Sequence, residues 1–257
     1  MARKTHLCFD SHIGRLKPEN IRNREASCPL CDRDQLSEIL AEEGPIIWVK
    51  NKFPVLKEAF QTVLIETDAC EAELSEYDPA HLHRLFRFGV DRWREMIDSG
   101  EYASVLFYKN HGPSSGGSLR HPHMQIVGLN DIDYRDRLSE AHFEGISIRE
   151  EEGVSFNLST QPRMGFFEFN VLLHELHDLN ALDRMADLVQ MATHHVLNHF
   201  HYPCNSYNLF FYERGPGIAV KVVPRFVVSP LFVGFSIPQV SNRLEEVAAD
   251  IRHHHFR

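Results

Sequence analysis

Two histidines, His121 and His123, alternate with Gln125 along the run HPHMQ. Residues two apart share one face of an extended strand, so all three side chains should point to the same side. The preceding run, NHGPSSGGSLR, is a glycine and serine loop in which Gly116 and Gly117 let a phosphate approach backbone N–H groups. A phosphate cradle beside a row of imidazoles predicts phosphoryl or nucleotidyl transfer chemistry.

A second candidate site is the C-x-x-C turn formed by Cys28 and Cys31. Two thiolates at this spacing can share one tetrahedral zinc ion, whereas a redox pair would require a strand before the first cysteine. The segment before Cys28 is polar, which favours zinc. The pair supplies half of a site, so two further ligands must come from elsewhere in the chain.

The composition is that of a globular protein without an overall positive charge. The chain has 257 residues, 43% of them hydrophobic, and a formal net charge of -9. It can therefore bury a sizeable core, and we expect it to bind neither nucleic acid nor a membrane. The first residues lack the apolar core of a secretory signal, and no apolar run approaches ~18 residues, so we expect a cytoplasmic protein.

Strands and one amphipathic helix must position these residues in the first half of the chain. The patterns predict an acidic helix at 34–43, strands at 45–54, 61–66 and 103–108, a helix at 79–96, and a last strand that begins within HPHMQIV. The charged residues 131–150 predict a connector.

The same order of elements then restarts. It predicts a strand at 166–173, a helix at 181–199, and strands at 206–212 and 221–228. We therefore infer an internal duplication with halves at 1–130 and 131–257. Where the first copy has HPHMQ, the second has a run from Lys221 to Arg225, so catalysis belongs to the first copy. These two cations either help to hold phosphates or are ordinary surface charges.

The runs CPLC, NKFP and N-H-G-x-x-S-G-G-S-x-x-H-P-H-M-Q together resemble a known family. It is the galactose-1-phosphate uridylyltransferase branch of the histidine-triad superfamily, which also includes ADP-glucose and diadenosine-tetraphosphate phosphorylases. The resemblance covers residues 20–240 and is closest to a bacterial side branch. It implies an α+β fold in which two histidine-triad-like half-barrels, each an antiparallel sheet with a crossing helix, are fused in one chain. Family members are often dimers, so the resemblance is compatible with a homodimer.

The resemblance also implies an activity. His123 occupies the position of the nucleophile, which would attack the α-phosphorus of a nucleotide sugar or dinucleotide, and Gln125 the position that hydrogen-bonds the transferring phosphoryl group. The implied protein is a ping-pong nucleotidyltransferase or phosphorylase with a covalent histidine-nucleotide intermediate. The alternatives are a hydrolase of the same substrates and a non-catalytic nucleotide-binding protein. An intact nucleophile argues against the second alternative, because binding alone would not need one.

Further site residues follow from the same resemblance. The substrate contacts are expected at the phosphate loop and at the segment that borders base and ribose: Asn110, Gly116, Gly117, Ser118, Asn51 and Phe53. The missing zinc ligands are expected to be His121 and, where the family usually has histidine, Cys70. One structural zinc would then be held by Cys28, Cys31, Cys70 and His121.

The sequence also departs from the family. An H-x-H pair that holds a second metal is replaced by Ala219 and Lys221, so we expect no second metal. Pro230 and Ser236 stand where the uridylyltransferases contact hexose, which argues against galactose 1-phosphate as the acceptor.

Several histidines fall outside these motifs. His195 and His199 have the i, i+4 spacing of a metal-binding pair, but no carboxylate lies nearby in the sequence, so ordinary partly buried or surface histidines are favoured. The run His253, His254 and His255 is either a truncated tag or a natural tail.

Overall fold

The computed structural model describes residues 4–256. Its strands are β1 (Ile39–Glu43), β2 (Ile46–Lys50), β3 (Ala59–Ile65), β4 (Ser104–His111), β5 (His123–Leu129), β6 (Gly145–Glu151), β7 (Val154–Ser159), β8 (Phe169–Leu173), β9 (Tyr207–Arg214) and β10 (Gly217–Pro224). Its α-helices are α1 (Ser11–Leu16), α2 (Pro79–Asp98), α3 (Leu179–Asn198), α4 (Pro230–Phe235) and α5 (Leu244–His255). Within residues 4–256, no helix has both the length and the apolarity that a membrane span requires.

The chain divides into two compact units. The first contains the described residues through Glu73 together with Arg84–Arg137, and the second contains Leu74–His83 together with the residues from Leu138 onward.

The first unit is built on an antiparallel sheet with the strand order β1-β2-β3-β5-β4. In the register of β5, His123 lies opposite Ile65 of β3, and Gln125 lies opposite Tyr108 of β4. The indole of Trp93 on α2 donates to the carbonyl oxygen of Val105 across 2.9 Å. This contact and the surrounding buried side chains hold the helix against the sheet that carries the candidate nucleophile.

The second unit repeats this topology. Its antiparallel sheet has the order β6-β7-β8-β10-β9, and α3 connects its third and fourth strands in sequence as α2 does in the first unit. The α+β fold, in which the same antiparallel strand order and helix position occur in both units, is therefore confirmed. Asp178 caps α3 by accepting from the backbone N–H of Ala181, and the apolar face of the helix is buried.

Two predictions of local structure were wrong and concern edge strands, and the buried strand β7 was not predicted. Residues 34–43 do not form an acidic helix, because their second half is strand β1, and residues 131–150 are not merely a connector, because they lead into strand β6. Most side chains of β1 and β6 are exposed and several are charged. Charged, exposed edge strands show no apolar alternation, which is why they resembled a helix and a loop.

Candidate functional site

His123 is the first residue of β5 and is buried, with 9% of its surface exposed. Its Nδ1 lies 2.8 Å from the backbone carbonyl oxygen of His121. A carbonyl oxygen can only accept, so Nδ1 carries the proton and Nε2 holds the lone pair. The backbone thus selects Nε2 as the nitrogen that can attack an electrophile.

Burial also favours the neutral imidazole of His123. Removal from water lowers the pKa of His123 to about 4; the hydrogen bond to His121 opposes this effect, and the nearby charges of Lys109 and Lys17 add to it. The ring is therefore uncharged at neutral pH.

A cavity of about 240 Å³ brings together four residues that the sequence marked as candidates. His123 and Gln125 line it from alternate positions of β5, on one face of the strand. Asn51 and Phe53 line it from the segment after β2, where the Asn51 side chain accepts from the Phe53 N–H across 2.8 Å.

One wall of the cavity is apolar and belongs partly to the C-x-x-C turn. Leu30, between the two cysteines, packs in a buried cluster with Val49 and Ile65 of the sheet. Besides Phe53, the apolar residues that line the cavity are Pro18, Pro29, Leu30, Leu36, Val49, Val63 and Leu119. An apolar wall facing polar groups is the usual form of a site for a flat, partly apolar ligand such as a nucleobase.

Lys17 also lines the cavity, and the sequence motifs did not mark it. It is the C-cap residue of α1, and Pro18 after it cannot extend the helix. At the other end of α1, the carboxylate of the N-cap residue Asp10 accepts from the N–H groups of His12 and Ile13. Burial lowers the pKa of Lys17. The basic character of the amino-terminal segment was the only signal for this residue in the sequence. Lys50 and Lys52 lie on the cavity as well.

The conformation of the glycine and serine loop depends on its glycines and on hydrogen bonds with Asn20. Gly116 has φ +88°, which favours glycine, and a Cβ on Gly117 would lie 3.2 Å from the Cβ of Asn110. The carbonyl oxygen of Ser118 accepts from the N–H of Asn20 across 2.9 Å, and Asn20 Oδ1 accepts from the N–H of Arg120 across 2.7 Å.

The residues that were expected to contact phosphate do not line the cavity. Asn110, Gly116, Gly117 and Ser118 are not among the described residues that line it, although Leu119, which follows them, is. Asn20, which holds this loop, is fully buried and was not marked by the motifs.

Three cysteines and a histidine converge beside β5. The ligand atoms of Cys28, Cys31, Cys70 and His121 all lie within 4.8 Å of one another. The Sγ of Cys31 is 3.4 Å from Nδ1 of His121, close to the separation of about 3.5 Å expected for sulfur and nitrogen on one tetrahedral zinc. This set can hold a metal ion.

The tautomer of His121 and the pKa values of the three thiols are compatible with a bound cation. His121 donates from Nε2 to the carbonyl oxygen of Thr67 across 2.8 Å, which leaves the Nδ1 lone pair facing Cys31. Burial, followed by the thiols of Cys70 and Cys28, raises the pKa of Cys31. Burial also raises the pKa of Cys70, with the charges of Cys28 and Glu71 adding to this effect and a hydrogen bond with Cys31 opposing it. Burial alone would raise the pKa of Cys28, but hydrogen bonds, led by that of His121, outweigh it and lower the pKa to about 6. Three crowded thiols compete for negative charge, and a divalent cation would relieve that competition.

The second unit carries a buried charge network where the first has its histidines. Lys221 is 1% exposed, so it is not a surface cation. Its Nζ lies 3.0 Å from Glu168 and donates to Asn170 Oδ1 at 2.8 Å and to the carbonyl oxygen of His142 at 2.7 Å. Arg225 donates to Asn208 Oδ1 across 2.6 Å. Both cations are therefore engaged in contacts within their own unit.

Comparison with known protein families finds two consecutive matches. A model described as "Domain of unknown function (DUF4931) N-terminal domain" matches residues 9–132, and the corresponding C-terminal domain matches residues 135–256. A comparison with curated proteins finds no match.

Three solved structures illustrate the similarity in fold. A DUF4931 family protein from Bacillus cereus is 46% identical, has a TM-score of 0.77, and covers 85% of this chain and 100% of its own. A uridylyltransferase is 14% identical with a TM-score of 0.73 and coverage of 89% and 91%. An ADP-glucose phosphorylase from Arabidopsis thaliana, solved with bound ADP-glucose, is 18% identical with a TM-score of 0.72 and coverage of 90% and 91%. The last two establish a shared fold, that of the uridylyltransferase branch which the sequence motifs indicated.

Proposed function

The chain belongs to the DUF4931 family, and from this premise we propose that it is a nucleotidyltransferase or phosphorylase acting on a nucleotide sugar or dinucleotide. The observation that carries the proposal is the position of His123, whose Nε2 holds the lone pair and whose ring lines a cavity of about 240 Å³ with Gln125. Imidazole is a suitable nucleophile because it attacks in its neutral form and leaves readily from an N-phosphoryl adduct.

In the first half-reaction, Nε2 of His123 attacks the α-phosphorus of the substrate. The new bond is N–P, and the bond that breaks joins the α-phosphorus to the oxygen of the departing phosphate, which leaves with the electron pair. Nδ1 keeps its proton throughout, and its hydrogen bond to the carbonyl oxygen of His121 would stabilise the positive ring of the adduct. In the second half-reaction a phosphate oxygen of the acceptor attacks phosphorus and the N–P bond breaks.

The other cavity residues have assignable roles in this reaction. Gln125 would donate to a non-bridging oxygen of the transferring group, and Lys17 would offset the charge of the phosphates. Asn51, Phe53 and the apolar wall would hold the nucleoside. Asn110, Gly116, Gly117 and Ser118 remain the proposed phosphate loop, which would have to move toward the cavity when substrate binds.

We further propose that the metal in the Cys28, Cys31, Cys70 and His121 set is zinc, and that its role is structural. Three thiolates and an imidazole form a closed tetrahedral donor set, in which no position is left for substrate. When bound, zinc would cross-link the amino-terminal turn to the residue two before the nucleophile. The Leu30 wall and the orientation of His123 would both depend on that connection.

The test is to trap the intermediate. The protein is incubated with UDP-glucose, ADP-glucose or diadenosine tetraphosphate labelled at the α-phosphate, and protein-bound label is measured for acid lability and stability in base. We expect about one label per chain with the correct substrate, with the leaving group released before any acceptor is added. A His123→Gln variant should carry no label, whereas a His12→Gln variant, altered at an exposed histidine, should be labelled as the wild type is.

The outcomes separate the proposal from its alternatives. Label that transfers to an added phosphate or sugar phosphate supports a transferase or phosphorylase, and label lost to water at the same rate with or without acceptor identifies a hydrolase. Tight nucleotide binding without any label identifies a binding protein. Equal labelling of the His123→Gln variant would contradict the covalent mechanism.

A further inference from the structure

Five histidines gather where the carboxyl ends of α3 and α5 meet. His194, His195 and His199 come from the end of α3 and its cap, and His254 and His255 come from the last turn of α5. The ring centre of His195 lies 5.5 Å from that of His255, 6.1 Å from that of His254 and 6.1 Å from that of His199. The rings of His199 and His254 are 5.1 Å apart.

One pair of these side chains already has the spacing of two metal ligands. Nε2 of His255 lies 3.3 Å from Nδ1 of His195. Two imidazole nitrogens bound at about 2.0–2.1 Å to one tetrahedral ion are about 3.3 Å apart. His195 is buried with 1% exposure, so its position is fixed by packing.

A third nitrogen does not lie at this point in the structure, because within residues 4–256 the quartet beside β5 is the set in which three or more donors lie within 4.8 Å of one another. The third ligand would have to come from a change of side-chain rotamer at His199 or His254. Both His199 and His254 are exposed, so either ring can change rotamer without displacing a packed neighbour.

The fold also supplies the carboxylate that the sequence did not place near His195 and His199. Asp250 lies one turn before His254 on α5, with Oδ1 3.3 Å from Nδ1 of His254 and Oδ2 3.7 Å from Nε2 of His195. A carboxylate beside ligating imidazoles orients their rings and increases their basicity.

The histidines of α5 lie inside the family's own domain. The DUF4931 C-terminal domain matches residues 135–256, a range that contains His253–His255. This favours a natural helix end over an appended tag. The cluster shares no residue with the contacts of Lys221 on β10, where Ala219 and Lys221 replace a metal-binding pair.

We propose that this histidine cluster binds one divalent transition-metal ion of the class that prefers imidazole nitrogen, such as Zn²⁺, Ni²⁺ or Co²⁺. His195 and His255 are the first two ligands, and His199 or His254 is the third. The ion would cross-link the end of α5 to the end of α3. Its role would be to stabilise the second unit, and it needs no part of the transfer reaction.

The test is a titration of Ni²⁺ into the full-length protein carrying a single equivalent of zinc, the amount that the cysteine set takes, with bound nickel and zinc measured by elemental analysis after equilibrium dialysis. We expect the wild type to bind one equivalent of nickel while retaining its zinc, and to melt at a higher temperature when nickel is present. A His199→Gln/His254→Gln variant, altered only at exposed side chains, should bind nickel more than about tenfold more weakly, since loss of even the outer partners of metal ligands costs about 10–100-fold in affinity.

The matched control is a His6→Gln/His12→Gln variant, which also loses two exposed histidines and should bind nickel as the wild type does. Absence of nickel binding by the wild type would overturn the proposal. So would equal affinity in the wild type and the His199→Gln/His254→Gln variant, or equal weakening in the control variant, which would indicate binding spread over surface histidines. The measurement requires no turnover, so its outcome is independent of the proposed transferase activity.

Discussion

Nδ1 of His123 lies 2.8 Å from the carbonyl oxygen of His121, the metal-set histidine two residues earlier in the chain. This contact joins the two candidate sites of the first unit. The main chain that presents His121 to the cysteines also determines which nitrogen of His123 can react. An imidazole that retains its Nδ1 proton can form a covalent bond through Nε2 alone.

The first prediction is that the trapped adduct is the Nε2-linked isomer. The nucleotidyl group on His123 should be attached through Nε2, because Nδ1 is occupied by its hydrogen bond to the His121 carbonyl. The linkage can be assigned by NMR of the labelled protein or of the adduct-bearing peptide. An Nδ1-linked adduct would show that the imidazole ring flips in the reacting protein and gives up the hydrogen bond between Nδ1 and the His121 carbonyl.

The second prediction concerns Lys17. A Lys17→Met variant keeps the length of the side chain and removes the charge that faces the cavity. Its KM for the nucleotide substrate should rise about 10–100-fold, because a hydrogen bond to a charged group contributes about 1.5–3 kcal/mol, while kcat should change less. The control is Lys57→Met, an exposed lysine that is not among the cavity residues. Unchanged KM in the Lys17 variant would exclude a phosphate contact.

The third prediction concerns Cys70. A Cys70→Ser variant should lose most of its zinc and melt at a lower temperature, because a Cys₃His set that loses a thiolate no longer closes around the ion. Zinc should be measured in a His199→Gln/His254→Gln background, so that the histidine cluster does not contribute. A Cys8→Ser variant, altered at an exposed cysteine outside the set, should keep its zinc. Full zinc retention by the Cys70 variant would remove Cys70 from the ligand set.

The fourth prediction concerns the buried pair of the second unit. Lys221→Met should lower the free energy of unfolding by about 3–5 kcal/mol, because it leaves the carboxylate of Glu168 buried without its cation. Adding Glu168→Met should recover part of that loss. Denaturant unfolding measures both changes, and the exposed Lys57→Met change should stay within about 0.5 kcal/mol of wild type. A double variant less stable than the sum of the two single effects would contradict this account.

The candidate site was partly predictable from the sequence because its chemistry is concentrated in short motifs. His121, His123 and Gln125 lie within five residues, so the alternation of one strand was enough to place His123 and Gln125 on a common face. Lys17 could not be found in this way. It reaches the cavity because α1 ends at Leu16 and the chain then turns, and a single lysine in a polar segment carries no pattern that indicates such a turn.

The parts of the fold that the sequence did not predict were missed for a similar reason. Strands with buried faces, such as β3 and β8, were found where their apolar residues form continuous runs, but the buried strand β7 was missed. The edge strands were also missed, β1 in the first half and β6 in the second. Their pairing depends on backbone hydrogen bonds to one neighbour, and their exposed side chains are free to be charged. The histidine cluster depends on how α5 packs after a long stretch of chain, which local spacing does not report.

Both histidines of the HPH motif have their tautomers set by main-chain oxygens, that of Thr67 for His121 and that of His121 for His123. Every type of amino acid contributes a carbonyl oxygen. A substitution at position 67 would therefore change the side chain and leave the partner of His121 in place. An evolving lineage can accept many replacements around these rings without disturbing their protonation, provided that the path of the backbone persists. Selection on the site then acts mainly on the ring-bearing residues themselves and on the strand pairing that holds their backbone.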